Sequence, residues 1–272
     1  MSMRLCAIVA AAGMFASVVN ADIITQWNFN GTSATAVPGG TASPTPSTGS
    51  GTASLIGGTT ASYASGIASG GSSDPVTTSP NNFGWGTTTY PAASAANETA
   101  GVQFLVSTVG YQSITLSWDQ RHSNSASRFW AFYYTLDGGT NWTRLNVDAS
   151  NASAGATPAA GAPASAAGLF GGNGTFSAFD GTVTGAGDDW FNGRSVNLSA
   201  IAGADNNANF GFRIVSSFGS GTAYASSSGV AYGAGGTSRF DMVTVNGTVI
   251  PTPAAAALLG LGGLAAARRR RA

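Results

Sequence analysis

In the stretch SITLSWDQR, Ile114, Leu116 and Trp118 alternate with Thr115, Ser117 and Asp119. Successive side chains of an extended strand point to opposite faces, so this spacing gives one apolar and one polar face, whereas a helix would scatter the same residues around its axis. The segments SRFWAFYYTL, NFGFRIVSSF and SRFDMVTVNGTV repeat the pattern with aromatic and β-branched residues, and Gly-, Ser- and Asn-rich connections separate them. The body is therefore expected to be all-β, an antiparallel β-sandwich of jelly-roll-like form with long Gly/Ala/Ser-rich loops. An early strand, DIITQWNFNG, and a late one, RFDMVTVNG, are expected to pair across the ends of the chain. No fixed-period repeat is visible, which argues against propellers and β-solenoids.

Two stretches interrupt the strand pattern. Residues 31–80 and 149–175 carry most of the prolines and lack large apolar side chains over long intervals. Such segments bury too little surface to offset their ordering entropy, so long loops or partly disordered inserts are expected there.

The opening MSMRLCAIVAAAGMFASVVNADIITQWNFNG has Arg4 as a short basic region, an apolar run from Leu5 to Val19 and small residues before Asp22. That layout reads as a secretory signal peptide over residues 1–21, cleaved after Ala21. Cys6, the only cysteine, falls inside it. The exported body, residues 22–249, then has neither disulfides nor thiolate metal ligands and must be held by its own core, for which its length suffices.

The formal net charge of zero conceals an asymmetry. Of 11 basic residues, all arginine, five (Arg4, Arg268, Arg269, Arg270 and Arg271) belong to the two end segments, leaving six against 11 acidic residues. An acidic body without a basic patch argues against nucleic acid and anionic membrane as partners, since both select clustered positive charge.

Asp137-Gly138-Gly139, between two aromatic-rich strands in YYTLDGGTNWTRL, is a hairpin signal, because glycine adopts positive φ without penalty and Asp can bond the turn backbone. Residues Thr135–Trp142 also resemble the Asp-box of sialidase-type propellers, with Asn141 in place of the usual Thr. The resemblance implies a structural turn role for Asp137, Gly139 and Trp142; one copy does not imply a propeller or sialidase activity.

The densest ionisable cluster is Asp119, Arg121, His122 and Arg128 in SWDQRHSNSASRFW. A base or metal ligand at His122, oriented by Asp119, is one reading. Strand alternation puts Asp119 and Arg121 on one face and His122 on the other, which favours the second reading, solvated strand-end residues. Asp188 and Asp189 beside Trp190 are a candidate sugar site: the ring would stack on a sugar face while the carboxylates take hydroxyls, directly or through Ca²⁺. The plainer alternative tucks Trp190 into the core. Trp85 is a further candidate sugar platform. Neighbouring acids do not establish the separation a glycosidase requires, so no catalytic residue is assigned and the chain is read as non-enzymatic.

The segments WFNGRSVNLSAIAG, NFGFRIVSSF and SRFDMVTVNG resemble the final strands of galactose-binding-like jelly rolls appended to bacterial secreted proteins. In such folds an acid near the last strand can hold a structural Ca²⁺, which makes Asp241 the candidate; no other cofactor is implied. Pairing with Arg239, two residues away on the same face, is the alternative use of Asp241.

Past the body, Ala254–Ala267 offers 14 uncharged apolar or glycine residues followed by Arg268, Arg269, Arg270 and Arg271, a membrane-stop cluster. As a helix the apolar stretch would span about 21 Å, short of the roughly 30 Å hydrocarbon core, and the four arginines favour a cytoplasmic location for its far end. With Pro251-Thr252-Pro253 before it and a signal peptide at the other end, residues 250–272 resemble the PEP-CTERM sorting signal of Gram-negative bacteria, with Thr252 where the family usually has Glu. The resemblance implies an exosortase-like membrane enzyme as partner, transient residence in the inner membrane, and release or transfer to the cell surface or exopolysaccharide matrix. The expected function is that of an exported, non-enzymatic surface or matrix protein, with a carbohydrate-binding module as the alternative. Seven N-x-S/T triplets carry no function in a chain this rich in Asn, Ser and Thr.

Overall fold

A computed structural model describes residues 21–145, 157–158, 169–172, 176–180, 188–219 and 221–251. The signal peptide up to residue 20 and most of the 149–175 insert lie outside the described residues. So does the sorting segment from Thr252 onward, with Pro253 and the membrane-stop residues Arg268, Arg269, Arg270 and Arg271.

The chain forms strands β1 (Asp22–Trp27), β2 (Thr52–Ile56), β3 (Thr60–Ser65), β4 (Phe83–Thr88), β5 (Gly101–Val106), β6 (Tyr111–His122) and β7 (Phe129–Thr135). It continues through β8 (Thr143–Leu145), β9 (Thr157–Pro158), β10 (Leu169–Gly172), β11 (Phe176–Asp180), β12 (Asp189–Asn197), β13 (Phe210–Ser217) and β14 (Ser238–Val249). They assemble two antiparallel sheets of seven strands each. The first runs β3-β4-β14-β6-β12-β9 with β1 also on β14; the second runs β10-β11-β7-β13-β5-β2 with β8 also on β7. The described residues form no helix.

The 12-residue β14 organises the first sheet. Along one edge it pairs with β6, and along the other with β4 at Ser238–Phe240 and with β1 at Val243–Gly247. The first and last described strands are thus hydrogen-bonded neighbours, as the sequence led us to expect. The Asp137 hairpin also forms, joining β7 to β8.

Alternation decides what lies between the sheets. Ile114, Leu116 and Trp118 of β6 and Phe240 and Val245 of β14 face Val102, Phe104, Phe132, Phe210, Phe212 and Ile214 of the second sheet, all essentially buried. Ring pairs bridge the layers, with Trp27–Phe104 at 4.9 Å and Trp118–Phe132 at 6.0 Å between centroids, while Phe104 and Phe212 stack at 4.8 Å within the second sheet. Each fully buried large apolar side chain contributes about 1.5–3 kcal/mol, so a core this aromatic holds the sandwich without disulfides.

The structure departs from the sequence reading over residues 31–80. β2 and β3 lie there, and Val37, Ala53 and Tyr63 are buried. Strands that join a sheet already nucleated by stronger neighbours need few large side chains of their own, because main-chain hydrogen bonds and one or two anchors suffice.

Candidate functional site

The connection from β3 to β4, residues 66–82, folds back over the outer face of the first sheet, the face turned away from the aromatic core. Trp190 Nε1 donates to the Ala68 carbonyl at 2.9 Å, Asn192 Nδ2 to the Gly71 carbonyl at 3.0 Å, and the Ser73 amide to Asp119 Oδ2 at 2.5 Å. A second buried layer results, and it is polar.

Two rows of like charge cross that layer. Arg239 of β14 stands opposite Arg121 of β6, and two residues further along Asp241 stands opposite Asp119. Directly opposed like charges are destabilising even in water, and here Asp241 is 0%, Asp119 1% and Arg121 6% exposed. The loop adds a third buried acid, Asp74.

Each group is compensated differently. Asp119 accepts the Ser73 amide through Oδ2 and the Gly193 amide through Oδ1 at 2.7 Å. The second bond depends on a bulge in β12 between Phe191 and Arg194, where Gly193 takes φ 67° and turns its N–H toward β6, a conformation glycine adopts without strain. Burial still raises the Asp119 carboxyl above its usual range, with Asp74 repelling, although these amides oppose the shift. Asp74 accepts from the Val76 amide at 2.7 Å and from Asn30 Nδ2 at 2.8 Å. Arg121 pairs with Asp188, and Arg239 donates to the Ser65 carbonyl at 2.5 Å. Burial, with Arg121 nearby, pushes Arg239 down to about 10.

Among the acids of this layer, Asp241 is the exception. Its Oδ1 accepts the Met242 amide at 2.8 Å, while Oδ2 is buried without a hydrogen-bond partner. Burial drives its carboxyl well above the ordinary range; the nearby Ser72 hydroxyl and the Met242 amide oppose this, and Asp74 and Asp119 add to it. Met242 itself has φ 47°, strained for a side chain of its size, at the start of a bulge in β14. Asn82, 3% exposed, donates through Nδ2 to the Val76 carbonyl, and its Oδ1 is also without a partner.

Several expectations change in this light. Asp119, Arg121 and His122 are buried, not solvated strand-end residues, because the 66–82 connection covers one face and the second sheet the other. Alternation does separate Asp119 from His122: His122 Nδ1 accepts from Trp130 Nε1 at 3.1 Å inside the sandwich, where burial and Arg194 hold the imidazole well below its ordinary value. Arg128 lies over the Phe129 ring. Trp190 is 0% exposed with its indole N–H committed to Ala68, and Asp188 is taken by Arg121. Asp189 pairs in register with His122. No face of Trp190 is open to a sugar, and Trp85 is likewise buried, its N–H donating to the Thr41 carbonyl at 2.8 Å. Asp241 faces Asp119 across the strand pair, while Arg239 spends its guanidinium on the Ser65 carbonyl.

The hairpin residues do what the Asp-box resemblance implies. Asp137 accepts from Thr135 Oγ1, the Asn141 amide and Asn141 Nδ2, which hold its carboxyl down to about 2. Trp142 Nε1 closes the turn on the Gly139 carbonyl at 2.9 Å, and Arg213 lies 3.8 Å over the Trp142 ring.

At the calcium candidate Asp241 the unpartnered buried oxygens are Asp241 Oδ2 and Asn82 Oδ1, hard donors of the kind that Ca²⁺ selects, but Arg121 Nε and Arg239 Nε are also buried without partners in the same layer. Among the described residues no three His, Cys, Asp or Glu side chains form a ready-made metal cluster, so any ion here would draw further ligands from carboxamide or main-chain oxygens. Asn82 was missed in the sequence reading; its only signal is an Asn-Asn pair just before β4. No model of a known protein family matches the chain, and a search of curated proteins finds no significant relative.

Proposed function

We propose that the chain is an exported, non-enzymatic cell-surface or exopolysaccharide-matrix protein, sorted through its C-terminal segment by an exosortase-like membrane enzyme. The observation that carries this reading is the ordered tripartite sequence: a proline-flanked triplet at 251–253, a short apolar segment, and the cluster Arg268, Arg269, Arg270 and Arg271. The two-sheet body is compatible with it, since β14 ends at Val249 and Pro251, the first residue of the triplet, is exposed. An apolar segment that would be too short to span comfortably as a helix, followed by four arginines, suits transient residence in the inner membrane better than permanent anchoring.

Mass spectrometry of the mature protein from its native host tests the reading. A C-terminus close to Thr252 is expected; a surface protein that retains Arg271 and Ala272 overturns it. Replacing Arg268, Arg269, Arg270 and Arg271 with Ser is expected to abolish retention at the inner membrane, and unchanged fractionation would count against the anchor.

A further inference from the structure

We propose that the outer face of the second sheet carries a binding site for an acidic polysaccharide, in which Arg213 receives the carboxylate of a uronate unit and a neighbouring hollow takes its ring. Arg213 of β13 and Gln103 of β5 stand directly opposite one another, on the side away from the core residues Phe104 and Phe212. The guanidinium lies 3.8 Å over the Trp142 ring, and its Nε donates to Gln103 Oε1 at 2.8 Å. Trp142 is itself fixed by its bond to the Gly139 carbonyl in the Asp137 hairpin, so the arginine is oriented before any ligand arrives. Its two terminal nitrogens and Gln103 Nε2 bond to no protein group among the described residues. The hollow begins one step along the same face, where Thr52 pairs with Leu105 about 7 Å from Gln103. With Gly138 and Asn209 these residues line a cavity of about 370 Å³, a volume within the range of small-ligand sites. Thr52 and Asn209 are exposed, and the hydroxyl of the first and the carboxamide of the second make no hydrogen bond among the described residues. The Leu105 side chain beside these polar groups suits a pyranose, which presents C–H on its faces and hydroxyls around its rim.

Charge selects an acidic sugar over a neutral one. Outside the two end segments six arginines face 11 acids, yet Arg213 has no carboxylate partner: burial alone lowers it from its ordinary value, and no acid acts on it. Tyr133, opposite Arg213 on its other side, leads to Glu98, but that carboxylate is taken by Arg144 and the Tyr133 hydroxyl. The edge of a guanidinium receives a carboxylate through two parallel N–H···O bonds, and one already held in place loses little freedom in doing so. A neutral sugar would leave that charge unused, and a polyanion without hydroxyls would leave the hollow empty. The net acidity of the body repels a polyanion only within about 8 Å at physiological salt, so the local arginine decides. The polymer is one the chain would meet in an exopolysaccharide matrix, so the biological sense of the site rests on the matrix reading above, whereas binding in solution does not.

The test is titration calorimetry of the full chain with oligomers of galacturonate, glucuronate and mannuronate in separate runs, at physiological salt and in chelator so that calcium bridging does not contribute. Saturable binding of at least one of them is expected. Its methyl ester, of the same length, and polyacrylate of similar charge are each expected to bind at least tenfold more weakly. Arg213→Gln is expected to weaken binding at least tenfold, and Asn209→Ala severalfold without a change in thermal midpoint. Should Arg213→Gln fail to fold, the comparison of free and esterified oligomer on the unmodified chain still decides. No binding of any of the three at millimolar uronate, equal affinity for the ester, equal affinity for polyacrylate, or undiminished binding by Arg213→Gln each overturns the proposal. None of these outcomes alters the C-terminal mass of the mature protein, so failure here is distinct from failure of the sorting reading.

Discussion

Asp119 and Asp241 stand directly opposite one another on β6 and β14, both buried, on the face of the sheet turned away from the aromatic core. They are unequally supported. Both oxygens of Asp119 are occupied by amide donors, whereas Asp241 keeps one oxygen free. The first is an anchor that ties the loop and the β12 bulge to β6, and the second accepts only the amide of its own neighbour Met242.

Asp119→Ala tests the anchor. It would strand the Ser73 and Gly193 amides, at about 1–3 kcal/mol for each donor that stays buried. The denaturation midpoint in urea is expected to fall while the slope stays constant. An unchanged midpoint would mean that water replaces the carboxylate at both amides.

Gly66→Ala tests the close packing beneath the loop. Its new Cβ would come within 1.6 Å of Asn82 Oδ1, so the loop or Asn82 must move. Overpacking of this kind costs about 1–3 kcal/mol. Gly235→Ala is the matched control, since nothing lies within 4 Å of that Cβ, and it is expected to change stability by less than about 0.5 kcal/mol. Equal thermal midpoints for the two variants would contradict the packing described.

Trp190 should behave as a structural residue. Trp190→Ala is expected to destabilise by about 3–5 kcal/mol, as other large-to-small changes at buried aromatic sites do. Trp190→Phe, which removes the bond to Ala68 but keeps much of the volume, should cost less. A Trp190→Ala protein of unchanged stability with lost polysaccharide retention would instead restore the sugar-platform reading.

Glu98 supplies a pH dependence of known sign. Burial raises its carboxyl, but hydrogen bonds from Arg144, Tyr133 and Ser217 outweigh burial and hold it below the ordinary value. A carboxyl lowered by folding stabilises the fold above its unfolded value, near 4.5, and that contribution disappears as pH falls through the folded value. Glu98→Gln is therefore expected to be less stable than the parent by about 1–2 kcal/mol at pH 7, after allowance for partial solvent screening. The gap should narrow as pH is lowered below that point. A gap independent of pH would show that lost packing, not charge, is responsible.

The sequence reads well where each residue answers only to its own strand. Period-two alternation in 114–119 and 209–218 fixed the class of fold, because the apolar face of a strand must be buried whatever covers it. The Asp137 turn was legible too, since its chemistry is complete within Thr135–Trp142. The pairing of β1 with β14 could also be anticipated from two matching strand signals.

Other features depended on what covers the outer face. Asp119, Arg121 and Asp241 carry the polar pattern of a solvated face, and Trp190 beside two acids resembles an exposed platform. A Gly- and Ser-rich loop with no strong signal of its own closes over all four. Nothing local in 66–82 specifies that position; its bonds to Asp119, Trp190 and Asn192 join residues far apart in the chain. By itself the sequence determined a two-faced β body and a C-terminal segment whose reading still rests on residue order. Only the tertiary structure decided that the polar face is a buried second layer, because burial belongs to the covering element as much as to the residue covered.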